Sequence, residues 1–206
     1  MGTIQDYKNR AIASLEGNWG KGALATLIVF LISGLLGNAF SAPFSDNQVT
    51  SNGITGLWTM LCFPLSWGAT VFFLSILRKE NPRYENLFDG YKDFIRIFLA
   101  MFLVSLAVLV GILLLIVPGI ILGLMFSQTE YILKDEPQTS AIDAMMKSAA
   151  MMKGHKVDLF ILTLSFIGWF LLCILTLGLG FFLLAPYYNT TMAHYYEDLK
   201  AEYIKD

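Results

Sequence analysis

Charge is scarce in this chain. Asp, Glu, Lys and Arg make up 15% of its 206 residues, against about 25% in soluble domains. Hydrophobic residues reach 56%, and the mean hydropathy is +0.60. That balance excludes a disordered tail, a secreted disulfide scaffold and an ordinary soluble enzyme. The only cysteines, Cys62 and Cys173, lie inside apolar runs and read as small packing residues. With no CxxC and only His155 and His194 beside them, a four-ligand zinc site has no ligand set. A net charge of -2 leaves no basic field, so nucleic acid is not an expected partner. No Walker loop, HExxH, GxSxG or carboxylate cluster occurs, so neither a cofactor, a metal nor an enzyme activity is expected. Residues 1–20 carry Asp6, Lys8, Arg10 and Glu16 where a secretory signal has its apolar core. The first span is therefore expected to stay in the mature protein.

What is present is long apolar runs. A membrane-spanning helix needs about 20 such residues. Residues 22–42 and 54–77 qualify, the second with Pro64 inside it. The run 94–133 would be roughly 60 Å long as one helix, twice the bilayer core. Val117-Pro118-Gly119 breaks it into 94–116 and 119–133. Thr176-Leu177-Gly178-Leu179-Gly180 likewise divides the last run into 159–175 and 181–196. The expectation is an all-α membrane protein of six spans. With Arg96, at the start of the third span, counted in the connection before it, all 14 Lys and Arg lie before the first span, after the second, after the fourth or after the sixth, and none in the other three connections. Positive charge marks the cytoplasmic side. Six spans with both termini in the cytoplasm satisfy that rule, and five do not. Acidic residues balance the basic ones on that face, so no polybasic lipid site is evident.

Three stretches have the same layout: Leu15-Glu16-Gly17-Asn18-Trp19, Phe88-Asp89-Gly90-Tyr91-Lys92 and Met152-Lys153-Gly154-His155-Lys156, each running into a span. Each follows a short amphipathic segment. The helical faces are Ile4, Tyr7, Ala11, Ile12 and Leu15; then Tyr84, Leu87, Phe88 and Tyr91; then Ile142, Met145, Met146, Ala149 and Met152. Helices along the cytoplasmic surface are expected at 4–15, 84–94 and 140–152. Lys79-Glu80-Asn81-Pro82 matches Lys134-Asp135-Glu136-Pro137. The chain then reads as one integral membrane domain, 1–206, with a threefold internal repeat of helical hairpins over 1–77, 78–133 and 134–206. An even number of spans per unit makes the copies parallel.

The motifs Val117-Pro118-Gly119-Ile120-Ile121, Tyr131-Ile132-Leu133-Lys134-Asp135-Glu136-Pro137, Met152-Lys153-Gly154-His155-Lys156, Leu164-Ser165-Phe166-Ile167-Gly168-Trp169 and Ala185-Pro186-Tyr187-Tyr188 resemble an uncharacterised bacterial integral-membrane family, domain of unknown function 975. The resemblance covers about residues 84–197. It implies a bacterial cytoplasmic-membrane protein with several spans, and it brings no activity or catalytic residue.

Glu130, on the fourth span, is the sharpest functional candidate, since an ionisable group inside a span is costly unless paired or wet. Lys134, one turn on, offers a pairing that would make Glu130 merely interfacial. The sixth span carries Tyr187, Tyr188, Asn189, Thr190, Thr191 and His194, which suit either an interfacial belt or a cavity lining. If the fourth and sixth spans are neighbours, Gln128, Glu130, Asn189 and His194 would line a polar pocket. His155 and Asp158, three apart, read as part of a surface joint before an acid–base pair. Ser33-x-x-x-Gly37 and Ala107-x-x-x-Gly111 permit close helix approach, within the chain or in a homo-oligomer. The functional expectation is a non-enzymatic organiser or envelope-system subunit that binds membrane lipid or protein partners. The alternative is a small transporter for an amphiphilic or cationic solute with Glu130 as its charge. Parallel copies with no visible mid-span interruption speak for the first.

Overall fold

The computed structural model describes residues 1–205. Its elements are α1 (Ile4–Leu15), α2 (Trp19–Phe30), a π-helical stretch (Leu31–Leu36), α3 (Gly37–Ser41), α4 (Gln48–Leu61), α5 (Phe63–Leu77), a 3-10 helix (Tyr84–Tyr91), α6 (Phe94–Leu114), α7 (Ile116–Phe126), α8 (Thr129–Asp135), α9 (Ala141–Met151), α10 (Lys156–Leu164), α11 (Ile167–Leu175) and α12 (Phe181–Tyr203). Five helical stretches are long and apolar enough to cross a membrane: Trp19–Phe44, Gln48–Leu77, Phe94–Leu114, Ile116–Asp135 and Lys156–Leu175. Apolar side chains stand open on them, Leu113 at 77% exposure and Leu175 at 78%. So much exposed hydrocarbon is at home in lipid.

The expected sixth span, 181–196, lies in α12, a continuous helix that falls outside those five. The reason is its position. α12 packs against α1, α2 and α5, and Tyr187, Thr190, Thr191, His194, Tyr195 and Tyr196 are buried in protein. A helix surrounded by other helices need not be apolar to escape water. The third and fourth spans part at Leu115, whose backbone is extended, four residues before the expected end of the turn. Pro118 falls in the first turn of α7, where its missing N–H costs nothing. Gly111 and Gly119 let the two helices touch: a Cβ on Gly111 would stand 2.8 Å from the Gly119 Cα. Gly37 likewise packs under the Trp58 ring. Both small-residue motifs thus serve packing inside the chain.

The spans that looked uninterrupted are broken. Cys62 (φ -84, ψ -3), Gln128 (φ -90, ψ -4) and Phe166 (φ -92, ψ -6) each leave helical ψ for a value near zero. They separate α4 from α5, α7 from α8 and α10 from α11. Pro64 in the first turn of α5 explains one break. At the other two, a short side chain precedes the break and bonds back to its own helix. Ser127 Oγ donates to the Leu124 carbonyl at 2.8 Å, and Ser165 Oγ to the Leu162 carbonyl at 2.6 Å.

A broken helix inside lipid must have its freed backbone groups satisfied by neighbours. One polar side chain arrives at each break from a short element near the helix ends. Tyr91 Oη donates to the Leu61 carbonyl at 3.0 Å. Ser148 Oγ donates to the Met125 carbonyl at 2.8 Å and accepts from the Gln128 N–H at 3.1 Å. Lys8 Nζ donates to the Ser165 carbonyl at 2.9 Å and lies 4.6 Å from the Phe166 ring centroid. Ser148 is fully buried, so Ser148→Ala strands a donor and an acceptor. The expected cost is about 1–3 kcal/mol, read as a lower thermal midpoint in detergent, while Ser148→Thr recovers part of it.

The three short elements dock as follows: the 3-10 helix on α5, α9 on α8, and α1 on α12. α1 starts at a capping box of Thr3 and Asp6 and buries Tyr7, Ala11 and Leu15, four residues apart. Ile12 stays 42% exposed. The segment expected as a helix over 84–94 is instead the eight-residue 3-10 helix followed by a turn. It buries Leu87 and Gly90, three apart as 3-10 stacking requires, and leaves Tyr84, Phe88 and Tyr91 outside. Gly68 and Gly90 let its backbone lie directly on α5. α9 also turns a different face from the expected one. Ala141, Ala144, Ser148 and Met151 pack inward, and Ile142 and Met146 point out at 56% and 58% exposure.

Of the three glycine joints, Gly17 (φ 75) and Gly154 (φ 92) are left-handed turns that a side chain would strain. Gly90 is not; it is kept small by the Pro64 carbonyl. Cys62 and Cys173 are buried and unpaired.

Candidate functional site: a cavity at Glu130

The break at Gln128 ends α7 and starts α8, so Glu130 comes two residues after it. Trp67 Nε1 donates to the Glu130 carbonyl at 2.9 Å and ties that turn to α5. Beside it lies a cavity of about 440 Å3 between α5, α7, α8, α10 and α12, within the usual range of small-molecule sites, about 300–1,000 Å3. Glu130, Gln128 and Asn189 line it together. His194 does not. It faces α1, where Nε2 is 2.9 Å from Ser14 Oγ, and its Nδ1 is buried without a partner. Half a turn of α12 accounts for the difference: Asn189 and Met192 look toward α8, and His194 toward α1.

Lys134 does not pair with Glu130. Among the described residues neither side chain has an ion pair within 4 Å. No Lys, Arg or His lines the cavity. Thr70 of α5 lines the same cavity, with its hydroxyl donating to the Ser66 carbonyl at 3.4 Å. Thr70, Thr163 and Tyr188 complete the polar lining. Thr70 and Thr163 had no signal of their own in the sequence, since a single threonine in an apolar helix is unremarked until its neighbours are known. Among the described residues no group of three His, Cys, Asp or Glu could hold a metal.

The charges at the ends of α5, α8 and α12 gather separately. Arg78 forks onto Asp135 at 2.7 and 2.9 Å and reaches Glu197 from Nε at 2.7 Å. Tyr196 Oη donates to Asp135 at 2.8 Å, and Lys200 closes the group. The Tyr196 ring stacks on Tyr131, centroids 4.8 Å apart. His155 stands 3.5 Å from both Asp158 and Glu202, and Tyr195 Oη donates to its carbonyl. This arrangement fixes the joint after α9 to α12.

Arg10 holds α1 to α12 through Asp198, with bonds of 2.8 and 3.0 Å. Burial alone would raise the Asp198 carboxyl, but the Arg10 fork outweighs it and holds the group below the usual carboxylate range. The Lys147 ammonium does the same to Glu136. A carboxyl lowered by folding contributes stability above its unfolded value, about 4, and loses it as pH falls through the folded value. These two carboxyls are therefore expected to add a fall of the thermal midpoint in detergent below about pH 4. Asp198→Asn should lower the neutral-pH plateau by about 0.5–1 kcal/mol, as suits a half-exposed pair, and flatten part of the acid drop.

Comparison with known proteins adds a family. No curated protein and no solved structure matches the chain. A family model described as a protein of unknown function, DUF975, matches residues 1–122 and 106–203. The match takes in the first hairpin as well as the 84–197 stretch whose motifs suggested it. With nearly the whole chain matched, this protein belongs to the DUF975 family of proteins of unknown function.

Proposed function

We propose that this is a bacterial cytoplasmic-membrane protein of six spans with both termini in the cytoplasm, and that it binds and carries a cationic or amphiphilic solute at Glu130. The observation that supports the activity is a carboxyl group lining a cavity between spans with no cation beside it. A carboxyl in such a place, with no Lys, Arg or His in the lining among the described residues, suits a positively charged solute. The broken helices add support, because transporter sites are commonly formed where spans are interrupted.

The topology rests on the distribution of Lys and Arg. The docking pattern supports the threefold repeat. With hairpins α2–α5, α6–α8 and α10–α12, each short element packs on the returning helix of the unit before it, and α1 closes the ring on α12. A second reading, a lipid- or protein-binding organiser or envelope subunit, is favoured by the outward apolar side chains of α9, Ile142 and Met146.

Flux separates the two. Liposomes holding the purified full chain should take up a fluorescent lipophilic cation, and Glu130→Gln at equal incorporation should cut the rate at least tenfold. Uptake no faster than in empty liposomes, or unchanged by Glu130→Gln, overturns the carrier and favours the organiser.

A further inference from the structure

The hydrogen-bond ledger of the cavity narrows the ligand. Ser127 Oγ gives its proton to the Leu124 carbonyl at 2.8 Å. It can therefore only accept from Gln128, which it does from Nε2 at 2.8 Å. That fixes the orientation of the Gln128 amide and leaves its Oε1 without a donor, on a side chain that is 2% exposed. Asn189 spends Nδ2 on the Ala185 carbonyl at 2.8 Å, so its oxygen remains for the cavity. Thr163 gives its proton to the Leu159 carbonyl at 2.9 Å. The lining thus holds one buried acceptor whose donor is missing, the Gln128 oxygen, next to a carboxyl with no ion-pair partner.

A buried acceptor without a donor is costly, and adding the donor recovers that cost. Resting on the reading of this cavity as a cation site, we infer that its ligand is a protonated amine that keeps at least one N–H, carried on an apolar or aromatic body. The ammonium sits at Glu130 and its N–H answers the Gln128 oxygen. Tyr131 and Tyr188 line the same space and put aromatic rings beside the charge. A quaternary ammonium satisfies the charge and leaves the Gln128 oxygen unpaired. Dehydration runs the other way, because a primary ammonium gives up more water on entering such a site than a quaternary one. A preference for the amine is therefore not a default of any apolar pocket.

The test is calorimetric titration of the purified full-length protein in detergent with 2-phenylethylammonium and its N-mono-, di- and trimethylated forms. The expected result is that the three forms with an N–H bind, and that affinity falls at least tenfold on the last methylation. Gln128→Leu should bring the amine to within about threefold of the quaternary probe, and Glu130→Gln should abolish binding of both. If the quaternary form binds wild type as tightly as the amine, the inference is overturned while the cation site stands. If no probe binds monodisperse wild type, the inference and the cation-site reading both fall. The methylation series on wild type needs no variant to fold, so the outcome does not depend on how Gln128→Leu behaves.

Discussion

Replacing Gly68 with alanine should leave little folded protein. A Cβ at this position overlaps the carbonyl oxygen of Leu87, where the 3-10 helix lies across α5. The obstacle is backbone, so no side-chain rotation relieves it. On the other side of the contact Gly90 is pressed against the Pro64 carbonyl, so the 3-10 helix cannot retreat at one end and stay at the other. Overpacking of ordinary side chains costs about 1–3 kcal/mol, and here about 3 kcal/mol or more is expected. The expected observation is loss of the monodisperse peak in detergent, or a thermal midpoint lowered beyond any other single substitution in α5. Gly56→Ala is the control. Gly56 lies inside α4 with nothing within 4 Å of its added Cβ, and alanine there should be neutral or stabilising by up to about 1 kcal/mol.

Arg78→Ala should be the next most damaging. Arg78 holds Asp135 on α8 and Glu197 on α12 from the end of α5, so three helices meet at one guanidinium. Its side chain is 23% exposed and that of Asp135 only 9%. Removing one partner of a buried ion pair costs about 3–5 kcal/mol. Lys200 and Tyr196 remain on Asp135, so about 2–4 kcal/mol is expected, measured as unfolding free energy in detergent. Arg78→Lys keeps the charge but loses the fork, and should recover about half. Arg83→Ala breaks a pair whose side chains are both 76% exposed and should change stability by less than about 0.5 kcal/mol.

The sequence carried the helices better than their interruptions. Runs of 20 or more apolar residues reveal spans because lipid demands them at every position. Gln128 and Phe166 break their helices without proline or glycine, through backbone bonds rescued from outside by Ser148 and Lys8. Those rescuers are remote in sequence, so no local pattern marks the break. The faces of the short elements were half legible. Tyr7, Ala11 and Leu15 follow the apolar period of α1. On α9, by contrast, small residues pack inward and the methionines outward, because close helix approach favours small residues over apolar ones. In the cavity, intramembrane polarity pointed to Gln128, Glu130 and Asn189. His194 was grouped with them because a helix rich in polar residues on several sides does not declare which side meets which neighbour.

The pairing of α1 with α12 sets a schedule for biosynthesis. α1 is made well before α12, so the surface made by Tyr7, Ala11 and Leu15 lacks its main partner until α12 has been made. Lys8, which serves the break at Phe166 through the Ser165 carbonyl, is held in place only with α1. The 3-10 helix and α9, in contrast, dock on helices already made before them. Two of the three breaks can therefore be sealed as soon as their own short element is made, and the third only once α12 holds α1 in place. A nascent chain stalled before residue 181 should have α1 open to protease while α9 is already protected.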